Sequence, residues 1–139
     1  MAKPSKEQIL LLDELRDFVI EVMRDMPEWV DAKVERLRSI PLGVLRRNAT
    51  QRHGVTRWKR GVNLHSLQPE DVEVIDIHPK MLNQRWKAYS AFVLHHEYIH
   101  ALGLRAHNAL FRQLEAAWPG RTAGEQGIQF TEHLRLEKA

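Results

Sequence analysis

One tract, His95 to Asn108, constrains how this chain can fold more than any other. It reads His-His-Glu-Tyr-Ile-His-Ala-Leu-Gly-Leu-Arg-Ala-His-Asn, and so contains His-Glu-x-x-His at residues 96 to 100, a glycine at 103 and a further histidine at 107. On an α-helix, residues four apart lie one turn apart on the same face, so His96 and His100 can aim both imidazoles at one metal ion. Glu97 falls about 100° round the helix, beside the open position of such an ion. This spacing suits two neutral nitrogen ligands and a carboxylate that takes a proton from metal-bound water. In an unbroken helix His107 would lie about 16 Å along the axis from His96, beyond the reach of an ion whose bonds are about 2 Å long. The helix must therefore stop and the chain must turn back. Gly103 is placed to do this, because glycine just past a helix end takes the left-handed conformation cheaply, and Leu104 can cover the end. A second amphipathic segment follows, with Leu110, Phe111, Leu114, Ala117 and Trp118, and stops at Pro119-Gly120. His107 is expected at its entry, facing back toward the first helix.

The motif sits in a helical pattern. Tyr89, Phe92, Val93, His96 and His100 form one stripe, which the periodicity predicts as the buried face. Ala88, Ala91, Leu94 and Leu102 on the opposite side mark the helix as central. Two histidines and a glutamate on a buried face need polar partners, which a metal supplies; hydrogen-bonded core histidines are the plainer alternative. His95 lies about 100° off the ligand face and is read as a non-ligand. His53, His65 and His78 are isolated and are read as surface or structural residues.

The chain is 139 residues long, which suits one compact domain. It has no cysteine, which excludes disulfides and any cysteine-based zinc ribbon. No apolar run approaches the roughly 18 residues of a membrane span, and the start lacks a signal peptide's apolar core. A cytoplasmic protein with no membrane partner is expected. Residues 5 to 26 read as a helix opened by Ser5 and Gln8 in a capping-box pattern, with Leu11, Leu15, Phe18, Val22 and Met26 inward. Pro27 fits the first turn of a second helix that carries Trp29 or Val30, Val34, Leu37 and Ile40 inward and ends before Pro41. Glutamates at 7, 14, 21, 28 and 35 recur every seven residues, as a solvated face or as a coiled-coil edge interrupted by proline.

Net charge is only +3, yet Arg46, Arg47, Arg52, Arg57, Lys59 and Arg60 fall within fifteen residues that hold no acid. Such a stretch can bind phosphates of a nucleic acid or form a solvated edge that deters strand aggregation. Inside it, Thr50 to Lys59 has the composition of one or two short strands around Gly54. Residues 61 to 71 read as a loop, and Val72 to Ile77 as the best strand, closed by His78-Pro79. Asn83 is placed to cap the motif helix. Residues 121 to 139 show weak periodicity, with Ile128, Phe130, Leu134 and Leu136, and are expected to form a short packing segment with a frayed end.

Taken together, the basic strand region, Val-Glu-Val-Ile-Asp-Ile-His-Pro-Lys-Met-Leu, the His-Glu-x-x-His helix and His107-Asn108-Ala109-Leu110-Phe111 resemble the SprT-like zinc metallopeptidase family over roughly residues 46 to 118. The resemblance implies that His96, His100 and His107 are Zn2+ ligands and that Glu97 is the general base. It also implies a possible DNA partner, because some members cleave proteins crosslinked to DNA. The gap from His100 to His107 is shorter than in several members, and the cysteine zinc ribbon that many carry is absent. The metzincin pattern would instead need a histidine where Ala106 stands.

The expected fold is α+β: an N-terminal helical segment (1–45), a metallopeptidase core (46–120) with a small antiparallel or mixed sheet from about residue 49 to 78, the active-site helix and a second helix, then a C-terminal segment (121–139). The expected function is zinc-dependent hydrolysis of peptide bonds in a protein or peptide substrate. Two other classes use the same residues. One is a nucleic-acid-binding module whose structural zinc is closed by a fourth ligand such as His53, His78 or His95. The other is a catalytically idle scaffold that binds a partner through its helical N-terminus.

Overall fold

Ser5 opens the first helix as its pattern predicts. Its hydroxyl accepts the Gln8 N–H at 3.1 Å and Gln8 Oε1 accepts the Ser5 N–H at 2.9 Å, a reciprocal cap that starts α1 (Lys6–Asp25). The structure is a computed structural model that describes residues 2–120 and 125–138. The buried face of α1 is Leu12, Leu15, Val19, Ile20 and Met23, rotated from the expected stripe; Phe18 remains 47% exposed. Adjacent apolar pairs at 11/12, 18/19 and 22/23 draw two overlapping stripes, and periodicity alone does not choose between them.

The expected second helix is instead two short 3-10 turns, Pro27–Trp29 and Val34–Ser39. Val34, Leu37 and Ile40 are buried as expected, but their spacing of three also matches the 3.0 residues per turn of a 3-10 helix. Trp29 is the inward residue and Val30 is exposed. The five glutamates of the sevenfold series are all exposed, and Glu35 pairs with Arg24 and Arg38 across the turn.

Three strands form a mixed sheet in the order β1-β3-β2: β1 (Leu42–Val44), β2 (Gly54–Trp58) and β3 (Val72–Ile77). Central β3 runs parallel to β1 and antiparallel to β2. β1 lies past Pro41, at the end of the segment expected to be mainly helical, and is not anticipated because a three-residue strand is too short to display alternation. Gly54 begins the single strand of the basic stretch.

Helix α2 (Lys87–Ala101) carries the motif and is buried nearly all round. Asn83 Oδ1 accepts the Trp86 N–H at 3.1 Å, one residue ahead of the helix, so it closes the approach turn and does not cap the helix itself. The exposed-to-buried pattern corrects one expectation: along the ligand stripe Phe92, His96 and His100 are only partly buried, and the faces around them are the buried ones. Gly103 takes φ +115°, its N–H bonds to His100 O at 2.9 Å, and Leu104 N–H bonds to Ile99 O at 3.4 Å, the paired bonds of a Schellman ending.

Asn108 then caps α3 (Ala109–Ala116) by accepting the Phe111 N–H at 3.0 Å. The C-terminal segment is more regular than expected, a helix α4 over Gln126–Lys138. Phe130 is fully buried, with its ring 5.0 to 5.9 Å from those of His53, His78, Trp86 and Tyr89. Residues 121–124 of that segment lie outside the described residues. One apolar cluster joins α1, the sheet, α2, Phe111 of α3 and α4. Among the described residues no helix is long and apolar enough to cross a membrane.

Candidate metal centre

The turn at Gly103 brings His107 back to the helix it left. One ligand atom each from His96, His100 and His107 lie within 4.8 Å of one another, and the three ring centroids are 4.9 to 5.0 Å apart. His100 Nε2 and His107 Nε2 are 3.0 Å apart. Two nitrogens held tetrahedrally by an ion with bonds near 2.05 Å would sit roughly 3.3 Å apart, so this pair needs little adjustment to share one ion. An all-imidazole donor set suits zinc and its neighbours in the first transition row.

Two of the three outer nitrogens are occupied, and this orients those rings. His100 Nδ1–H donates to Leu104 O at 2.7 Å, a carbonyl presented by the helix ending, so His100 Nε2 carries the lone pair. Burial lowers the pKa of His100, partly offset by that carbonyl, and favours the neutral ligand form. His96 Nδ1 pairs with Glu115 of α3, leaving Nε2 as the nitrogen available to a metal. Outer partners of this kind fix tautomer and ring angle in metal sites. Phe111, 1% exposed, lies under all three imidazoles with centroid distances of 4.7 to 4.8 Å.

Glu97 is 5% exposed. Its Oε2 lies 3.9 Å from His96 Nε2, and its Oε1 accepts the Thr56 hydroxyl at 2.9 Å. Burial raises the carboxyl pKa, opposed first by the His96 charge and then by the Thr56 bonds. Gly54 makes this close approach possible: a Cβ there would stand 2.7 Å from Val93 Cγ1 and 3.2 Å from Glu97 Oε2. Neither Thr56 nor Gly54 carries a signal in the sequence, because their role depends on where β2 crosses α2.

The remaining histidines are elsewhere. His95 Nε2 accepts the Trp29 indole N–H at 3.1 Å, and burial pushes its pKa down to about 4. His78 bonds Ala49 O at 2.8 Å and accepts the Lys80 N–H at 3.2 Å. His53 bonds the Tyr89 hydroxyl at 2.6 Å, and His65 is exposed. Among the described residues none of these joins the three-histidine cluster.

All six basic residues of the stretch 46–60 are exposed, but the acid-free reading of that tract holds only along the sequence. Arg57 Nε lies 3.1 Å from Asp76 Oδ2 of β3, Lys59 acts electrostatically on Glu70, and Arg47 on Glu137. Compared with protein-family models, with curated proteins and with solved structures, the chain finds no match.

Proposed function

We propose that this chain is a zinc-dependent metallopeptidase of the SprT-like kind, with His96, His100 and His107 holding the ion and Glu97 acting as general base. The observation that carries the reading is the convergence of three imidazoles, two with anchored outer nitrogens, beside a buried carboxylate 3.9 Å from a ligand nitrogen. When bound, zinc supplies Lewis-acid polarisation of a scissile carbonyl and lowers the pKa of water.

The chain's own residues supply the rest. Thr56 fixes Oε1 of Glu97, so Oε2 is the atom free to take the proton of attacking water and pass it to the leaving amine. Phe111 closes the floor and keeps water from the far side of the ligands. Three protein ligands leave a fourth position for reactants, which favours catalysis over a structural zinc. The exposed basic residues between 46 and 60 support a nucleic-acid-associated substrate as the finer form of the proposal.

The test is to load the protein with zinc and follow cleavage of an unfolded protein, free and bound to DNA. Cleavage that a chelator abolishes and zinc restores supports the proposal. Stoichiometric zinc with no cleavage of either substrate would favour a structural site.

A further inference from the structure

Helix α3 does more than carry Phe111. Glu115 lies one helical turn beyond Phe111 on the same face, and its carboxylate takes the outward nitrogen of His96. The two side chains are 27% and 23% exposed, so the pair is shielded from much of the solvent that weakens surface ion pairs. At His100 the same job falls to a backbone carbonyl, which no substitution removes. At His96 it falls to a side chain, and can be separated from the fold.

We infer that Glu115 is a positioning residue: it holds the Nδ1 proton of His96, points Nε2 into the cluster, and through that ring sets the affinity of the metal site. The inference rests on the metal-centre reading above. A direct ligand role does not fit, because the carboxylate engages Nδ1 while Nε2, on the opposite edge of the ring, lies on the Glu97 side. A plain ion pair is the alternative, and it differs in what it would do to metal binding.

The experiment compares the full chain with Glu115→Gln and Glu115→Ala by zinc titration against a chromogenic chelator. Each form is also followed metal-free by ¹⁵N chemical shifts of His96 at a pH that keeps the ring neutral. Glu115→Ala should still bind one equivalent, with affinity lowered by ~10- to 100-fold. Glu115→Gln, whose amide oxygen still accepts the Nδ1 proton, should recover most of that loss. In the parent, neutral His96 should carry its proton on Nδ1, and in Glu115→Ala the population should move toward Nε2.

Unchanged affinity and tautomer in Glu115→Ala would reduce the contact to an ion pair and overturn the inference. Loss of the whole equivalent in both variants would make Glu115 a ligand, overturning it in the other direction. A parent that bound no zinc would remove the metallopeptidase reading, while the tautomer comparison would still decide whether Glu115 orients His96.

Discussion

Two groups of histidines divide the labour in this molecule. His53, His78 and His95 sit among aromatic rings and bond to protein partners: a tyrosine hydroxyl, a backbone carbonyl and amide, and an indole N–H. His96 and His100 are half-buried, as His53 is, and His107 is exposed. Two of them are anchored through Nδ1, and the cluster turns its remaining nitrogens toward one another. Burial alone therefore does not separate the two groups. What distinguishes the second group is convergence: one ring nitrogen from each of the three lies within 4.8 Å of the other two.

The comparison breaks most sharply at the metal. His100→Ala or His107→Ala should abolish stoichiometric zinc binding, measured on purified protein, whereas His53→Gln should keep the full equivalent. Retained zinc in both ligand variants would erase the distinction between the groups.

The converse effect belongs to His78, which is fully buried. His78→Ala leaves Ala49 O and Lys80 N–H unpaired and opens a void, so unfolding free energy should fall by about 2–4 kcal/mol with zinc stoichiometry intact. Chemical denaturation of the metal-free form is the check.

A smaller effect follows from protonation. Burial lowers the folded-state pKa of both His53 and His78 below the usual 6.5. Around His78 the Lys80 charge adds to this, while Ala49 O and Glu137 oppose it. The unfolded chain then binds more protons, so stability is complete above pH 6.5 and declines as pH falls below it. His78→Gln should flatten that decline in denaturation curves taken across the acid range.

The smallest shift is expected at Thr56. Thr56→Val removes one hydrogen bond to the Glu97 carboxylate and should slow hydrolysis by about tenfold, equivalent to 1.4 kcal/mol, without changing zinc content.

The clustering of the three histidines was legible because a shared ion, if expected, demands a chain reversal. His107 could reach the same ion as His96 only if the chain reversed, and Gly103 was the residue able to reverse it; the left-handed φ and the Schellman bonds are there. The α+β class followed from the apolar strand at 72–77 and the helical patterns on either side. Other features depend on contacts between distant segments. β1 is three residues long and exists as the parallel neighbour of β3. The buried stripe of α1 is chosen by what packs on it, since Leu11 and Leu12 are equally apolar. α4 was hidden because Ile128 and Leu136, half of its apparent pattern, are exposed, while Phe130 alone supplies its deepest anchor. Thr56 and Gly54 meet Glu97 through a strand–helix crossing that no local pattern encodes.

The central claim is that Glu97 is the base and not a ligand, and Glu97→Gln tests it most directly. Glutamine is nearly the same size, still accepts the Thr56 hydroxyl, and cannot take a proton. Parent and variant should be measured side by side for zinc content and for cleavage of an unfolded protein. Full zinc occupancy in both, with cleavage reduced by ~10²-fold or more in the variant, is the predicted result. Equal cleavage by the two proteins, or loss of zinc from Glu97→Gln, would contradict it.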